Sequence, residues 1–366
     1  MKLSRIARIG AIGAVAALAL TACAANEGGT GGSAAPSEAS GLSGNLVGSG
    51  ASSQEVAVQA WSAGFQTANP DVTIDYDPAG SGTGRESFQA GAVNFAGSDR
   101  AFDLEEIEAG PFDACAADSG IIELPTYVSP IAVVFNIEGV DTLNLDAATI
   151  AGIFAGTVSN WNDPAIAALN PDATLPDLAI TPVHRSDDSG TTENFTDYLF
   201  ATAPDVWTSE PDGEWPLQSG EAAQGTSGVI SAVQGGQGTV TYADASRAEG
   251  LGTVAVQVGE EFVEYSPEAA AAIVDASPFE EGRTEGDLAV EIDRTTEEAG
   301  VYPIVLVSYM IACEQYEDPA IAELVKGFLG YVASPEGQDE AAAAAGSAPI
   351  SDAVREQVDA AIALIK

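Results

Sequence analysis

Three times in this chain a short β-branched or apolar run ends in a turn of small residues, and apolar residues at helical spacing follow. Leu46-Val47 leads into Gly48-Ser49-Gly50-Ala51-Ser52-Ser53, after which Val56, Ala60, Trp61 and Phe65 recur at helical spacing. Val72 to Tyr76 leads into Pro78 to Gly84, and Arg85 to Ala90 can start a short helix. Ala179 to Arg185 leads into Ser186-Asp187-Asp188-Ser189-Gly190-Thr191-Thr192, with Phe195, Tyr198 and Leu199 on the next helix. Strand, small-residue turn and helix is the unit of an α/β fold. A helix N-terminus carries unpaired N–H donors and about half a positive charge, and Gly or Ser lets a ligand approach it. One such loop is ordinary turn or cap chemistry; the recurrence is what points to an anion site.

Further strands are expected at Ile121 to Leu124, Ile131 to Asn136, Val240 to Tyr242 and Ile304 to Ile311. Helices are expected at Asp103 to Gly110, Ala147 to Phe154, Pro164 to Leu169, Ser227 to Gln234, Asp318 to Val332, Gly337 to Ala345 and Ser351 to Leu364. Asp103 with Glu106 reads as a capping box. No repeat of fixed period is present.

Composition narrows the function. Twelve Lys and Arg against 55 Asp and Glu in 366 residues give a net charge of −43, which excludes a nucleic-acid binder. Three Cys and one His cannot fill a four-ligand zinc cage, and His184 would have to serve any His-based triad alone, so metal sites and triad hydrolases are set aside and no cofactor is expected. Hydrophobic content of 46% with 18% charged residues is globular, and the length suggests about two domains.

Met1 to Arg8 carries Lys2, Arg5 and Arg8 and precedes the apolar run Ile9 to Leu20, too short to span a membrane and in signal-peptide order. The run stops at Leu20-Thr21-Ala22-Cys23, which resembles the lipobox of bacterial lipoproteins; the alternative is an ordinary signal peptide with an incidental Cys. Residues 1–22 are then the signal, Cys23 the lipid-bearing N-terminus, and residues 23–44, rich in Gly, Ser and Ala, a flexible tether. The mature chain keeps nine basic side chains against 55 acidic, a balance of about −46. Cys115 and Cys313 are left as a disulfide in an oxidising compartment, or as two buried thiols.

Arg85, Arg100 and Arg185, three of those nine basic residues, lie in or beside the small-residue loops and the Ser98-Asp99 turn. A guanidinium forks onto a tetrahedral oxyanion, and Asp187 could brace Arg185; a surface salt bridge is the other reading. Hydroxyls at Ser52, Ser81, Ser189 and Thr191 would add donors. Asp99, after Asn94-Phe95-Ala96-Gly97-Ser98, is either a turn residue or an acceptor for a ligand that carries a proton. Such an acceptor would take a hydrogen bond from HPO4 2− or H2PO4 − and repel sulfate, rejecting it by about 10⁴–10⁵-fold.

These residues resemble the extracytoplasmic phosphate-binding lipoprotein of the bacterial high-affinity phosphate ABC importer. The resemblance rests on Gly48 to Ser52, Gly80 to Gly84, Phe95 to Asp99, Trp161 to Ile166 with Leu169 to Pro171, and Arg185 to Thr191, in order across roughly residues 45–364. It implies a two-lobed periplasmic-binding-protein-like fold of type II, two α/β domains with a cleft and two crossovers. Crossings are expected near Pro125 to Tyr127 and near Val301 to Pro303, with lobe I at 45–126 and 302–366 and lobe II at 127–301. That division puts Cys115 and Cys313 in one lobe. Phosphate would meet Ala51, Ser52, Ser81 and Asp99 on one side and Arg185, Ser189, Gly190 and Thr191 on the other, with Asp187 in support. Ser53 stands where the family often has an aromatic, and Arg85 and Arg100 are unusual for it. The implied protein is no enzyme: a monomer on the extracytoplasmic face of the cell membrane, passing phosphate to permease and ATPase subunits. The alternatives are a receptor for sulfate or molybdate and, in another class, a phosphoryl-transfer enzyme using Ser189 with His184 five residues before it.

Overall fold

The computed structural model describes residues 41–366; the export signal, Cys23 and the tether up to residue 40 lie outside the described residues. The last tether residues belong to the folded body, since Leu42 packs against the core and Gly44 pairs in the first strand.

In chain order the elements are β1 (Gly44–Gly50), α1 (Glu55–Ala68), β2 (Val72–Asp77), α2 (Ser81–Gln89), β3 (Phe95–Ser98), α3 (Leu104–Ala109) and β4 (Ile121–Phe135). Then come β5 (Thr142–Leu145), α4 (Ala147–Ala155), α5 (Pro164–Leu169), β6 (Thr181–Arg185), α6 (Gly190–Thr202), β7 (Glu221–Ala223), α7 (Gly225–Gly235) and β8 (Thr239–Asp244). A short 3-10 turn, β9 (Gly252–Val258), β10 (Glu261–Val263), α8 (Pro267–Ala276), β11 (Val305–Cys313), α9 (Pro319–Ala333), α10 (Pro335–Ala345) and α11 (Asp352–Ala363) complete the chain.

Helix starts follow local chemistry. Asp146, Asp163, Ser189, Ser266, Asp318, Ser334 and Ser351 each accept from a first-turn N–H, and Pro opens α5, α8, α9 and α10. The Asp103–Glu106 capping box forms. The second unit departs from its expectation, because α2 starts at Ser81, four residues before Arg85.

The strands join in one mixed sheet of order β2-β1-β3-β11-β4-β8-β6-β7, with β9 on β4, β5 and β10. The two strands expected at Ile121 and Ile131 are halves of one 15-residue strand, β4. Its residues Ile121 to Pro130 pair with β11 and Ile131 to Phe135 pair with β8. Pro125 and Pro130 read as strand breakers because they lack an N–H; here full burial along β4 carries the strand through them. The ladder shifts register between Ser308 and Tyr309, where Tyr309 faces Pro125 rather than Thr126.

One core cluster, around Trp61, Phe95, Tyr127, Phe135, Phe154 and Trp161, runs through the fold. A smaller one packs Val229 and Val233 of α7 on Val134 and Val183. Between α8 and β11 the chain reaches back over the first half of β4, where Glu123 pairs with Gly286 and Leu288. Cys115 and Cys313 form a disulfide, with Cα atoms 5.3 Å apart. Among the described residues no helix is long and apolar enough to cross a membrane.

Candidate functional site

Parallel pairing of β1 with β2 and β3 brings the ends of these strands, and so the starts of α1 and α2 and the loop after β3, to one place. The starts of α6 and α7, after β6 and β7, face them from the other half of the sheet. Ala51, Ser52, Ser81, Asp99, Arg185, Ser189, Gly190 and Thr191 are all buried in this junction. Gly190 comes so close to the opposite loop that a Cβ on it would lie 2.7 Å from Asp99 Cβ and 2.9 Å from Ser81 Oγ. Gly50 is required on the other wall, since a Cβ there would sit 1.9 Å from the Gly97 carbonyl, with φ at +148°.

Asp99 is the centre. Its Oδ1 accepts from Ser53 Oγ at 2.6 Å and from Ser308 Oγ, and its Oδ2 accepts from Thr191 Oγ1 at 2.7 Å. Its N–H donates to Ser81 Oγ at 3.1 Å, and its carbonyl accepts from Asn194 Nδ2 at 2.7 Å. An ionised carboxylate has about four lone-pair positions, so Oδ2 keeps one for a further donor.

Arg185 ends β6 with its side chain 2% exposed. Nε donates to Asp187 Oδ1 at 2.8 Å and Nη2 to Asp187 Oδ2, while Nη1 makes no hydrogen bond to the described residues. Burial works to raise Asp187, but the Arg185 fork and the Gly225 N–H at 3.0 Å outweigh it and hold the carboxyl below its usual range. Behind Arg185, the Tyr242 hydroxyl meets its N–H at 3.4 Å and Thr192 Oγ1 at 2.8 Å. Ser189 Oγ caps α6 by accepting from Thr192 N at 3.2 Å, and the N–H groups of Gly190 and Thr191 have no acceptor within their own helix.

The other two arginines are engaged elsewhere. Arg85 donates to Ser98 Oγ at 3.0 Å, lies 3.8 Å from Asp188 and stands over the Phe102 ring. Arg100 forks onto Glu106 at 2.7 and 2.9 Å and pairs with Glu193 at 2.9 Å. His184 stacks on Trp215, and its Nδ1 meets the Arg185 carbonyl at 2.9 Å, so it does not face Ser189 as a base.

Sequence reasoning missed four contributors. Ser53 and Ser308 fill Asp99 Oδ1; Ser308 is far along the chain, and no local pattern marks it. Thr226 donates its N–H to Ser52 Oγ at 3.0 Å, with the two hydroxyls 3.1 Å apart. Its place is a fourth strand, turn and helix start, β7 then α7, which Glu221-Ala222-Ala223, neither β-branched nor wholly apolar, did not announce. Asn194 had no signal beyond its place one turn into α6. The geometry is a buried cage of helix N-termini, hydroxyls and one guanidinium, with one carboxylate in it. That combination suits a tetrahedral oxyanion bearing a proton.

The PBP superfamily domain matches residues 35–336. The phosphate-binding protein PstS 2 of Mycobacterium tuberculosis is 34% identical over 349 residues, covering 90% of this chain and 91% of the relative. The phosphate-binding protein PstS 3 of the same organism is 33% identical over 290 residues, covering 78% and 77%. In structure the chain is similar to a high-affinity periplasmic phosphate-binding protein, PfluDING, solved with phosphate bound, with a TM-score of 0.67 at 20% identity over 87% of this chain and 93% of that one. With the family model matched over most of the chain and relatives of 33–34% identity covering more than two thirds of it, the chain belongs to the PBP superfamily and, within it, to the PstS family of phosphate ABC transporter substrate-binding proteins.

Proposed function

We propose that this protein captures inorganic phosphate in the cage around Asp99 and Arg185 and delivers it to the permease and ATPase subunits of an ABC-type phosphate importer. The observation that carries the reading is Asp99: a buried carboxylate inside an anion cage, with acceptor capacity left on Oδ2. Only an oxyanion that keeps a proton can use that acceptor, and phosphate does so at neutral pH while sulfate does not. The hydroxyls of Ser52, Ser81 and Ser189, the N–H groups of Gly190 and Thr191, and Arg185 Nη1 then supply donors to its oxygens, while the Thr191 hydroxyl stays on Asp99 and Ala51 lines the first loop. Asp187 aims the guanidinium.

In this reading lobe I comprises residues 45–130 and 302–366 and lobe II residues 131–301, the first crossing standing at Pro130–Ile131, where β4 changes partner, rather than near Pro125 to Tyr127. Cys23 carries the lipid, the tether spaces the monomer from the outer face of the cell membrane, and cleavage after Ala22 removes the signal. Mass spectrometry of the exported N-terminus reads the anchor directly; a free Cys23 would remove it. Side-by-side isothermal titration with phosphate and sulfate tests the ligand. Heat for phosphate alone is expected, and equal binding of both would defeat the role of Asp99.

A further inference from the structure

The cage residues are 1–6% exposed, so an anion can enter only if the two halves part. Besides the Thr191–Asp99 and Thr226–Ser52 bonds and the Arg247–Glu55 pair, two consecutive residues on each side join the halves. The loop after β3 presents Asp99 and Arg100, and the N-terminal part of α6 presents Glu193 and Asn194. Asn194 Nδ2 reaches the Asp99 carbonyl at 2.7 Å, and Glu193 Oε2 meets Arg100 Nε at 2.9 Å. Both grips are braced from behind. Arg100 is fixed by its fork on Glu106 and by the Ala101 carbonyl at 2.8 Å. Asn194 is turned by Arg294, whose Nη2 donates to Asn194 Oδ1. Arg294 is itself 5% exposed, held by Asp197 at 2.9 Å and by the carbonyls of Val305 at 2.7 Å and Pro303 at 3.2 Å.

The orientation matters because the two ends of an amide are alike in shape but opposite in hydrogen-bonding sense. With a guanidinium on Oδ1, the NH2 group must point at Asp99 O and Gly190 O, the latter at 2.8 Å. Burying a guanidinium is costly, and Arg294 makes no bond to the cage side chains around Asp99 and Arg185. Arg100, Glu193, Asn194 and Arg294 line a cavity of about 420 Å³ that Asp99 also lines.

We propose that Asn194, oriented by Arg294, and the adjoining Glu193–Arg100 pair form a clasp that sets the share of closed protein and so the residence time of phosphate. The clasp rests on the phosphate reading for its readout. Asn194 and Arg294 are positioning residues that act through the Asp99 loop and touch no ligand. Apparent affinity scales with the fraction of protein in the competent state, so a weaker clasp lowers affinity with every ligand contact intact. Its bonds exist only in the closed form, so their loss is felt in dissociation. Asn194 holds the main chain of Asp99 and leaves the carboxylate alone, so the preference for phosphate over sulfate is retained.

The test is stopped-flow phosphate binding to the mature protein, comparing wild type with Asn194→Asp and Arg294→Lys. Asn194→Asp is isosteric and keeps the acceptor for Arg294 but has no donor for Asp99 O. Dissociation about ten- to a hundredfold faster is expected, with association within about threefold and phosphate preference unchanged. Arg294→Lys, which keeps the charge without the fork, should fall between the two. Unchanged dissociation in Asn194→Asp overturns the clasp, as does an equal loss of association rate and ligand-free thermal stability, which marks a merely structural role. If wild type fails to bind phosphate, the phosphate reading falls. The clasp is then read from ligand-free small-angle scattering, where Asn194→Asp should be more extended and equal dimensions would overturn it.

Discussion

Thr191 Oγ1 donates to Asp99 Oδ2 across 2.7 Å, although 92 residues separate them and they follow strands, β6 and β3, in opposite halves of the sheet. In the proposed reading, the bond makes the acid that would select phosphate part of the contact that closes the cage. Binding and closure are therefore one event at this point.

The Gly190 position tests that link most simply. Its Cβ would meet Asp99 Cβ at 2.7 Å only in the closed form. Gly190→Ala should weaken phosphate binding at least a hundredfold by titration, while the ligand-free protein melts at or above the wild-type temperature, since Ala favours a helix over Gly by about 1 kcal/mol.

Arg185→Ala removes a buried ion-pair partner and leaves Asp187 without its fork. Truncating such a pair costs about 2–5 kcal/mol, so affinity should fall by roughly thirtyfold to several thousandfold, mostly in dissociation rate. Arg185→Lys should recover only part, because an ammonium cannot serve Asp187 and a ligand oxygen with one planar fork. Unchanged affinity in Arg185→Ala would remove it from the site.

The pH dependence has a definite sign. Burial pushes Glu193 up to about 7 against the pull of Arg100 and Arg85, and pushes Asp244 up to about 6. Groups raised in the folded state stabilise it fully below their unfolded values, and that contribution is lost as pH rises through about 6 to 7. Burial also works to raise Glu106, but the Arg100 fork and the Asp103 N–H hold it at about 2, so its contribution is lost as pH falls toward 2. Calorimetry should show the melting temperature rising as pH drops from 8 to 5 and falling again in stronger acid. Glu193→Gln should flatten the alkaline limb.

The Cys115–Cys313 disulfide closes 198 residues of separation and ties the loop after α3 to the end of β11. Replacing both with Ser should cost about 2–5 kcal/mol, seen as an earlier denaturant midpoint, with phosphate affinity little changed because neither sulfur touches the cage. An unaltered midpoint would mean that the bridge adds nothing to a core this large.

Much of the fold was legible because its signals are local. Caps such as Asp146, Asp318 and Ser351 and prolines at helix starts act within one turn, so α4 to α6 and α9 to α11 have readable beginnings, whereas α8, with its Ser266 cap and Pro267, was not among the expected helices. Strand β4 was read as two because Pro125 and Pro130 are breakers by themselves, and only burial between β11 and β8 makes them strand residues. Within the site, Ser52, Ser81, Asp99 and Arg185 to Thr191 stood in recognisable loops. Ser308 and Asn194 did not, and Arg100 turned out to grip Glu193 and Glu106 rather than the cage.

By itself the sequence determined an α/β chain with small residues at several helix starts and almost no positive charge to spend. Its balance of −43 describes the outer shell, and screening over about 8 Å mutes those carboxylates at the cage. Only the tertiary structure decided which helix starts face one another, which serines reach Asp99, and which arginines are held away. The reason is range: turn and cap chemistry act within a few residues, whereas the bonds from Ser308, Thr226 and Asn194 span 209, 174 and 95 residues and exist only once the sheet has brought its two halves together.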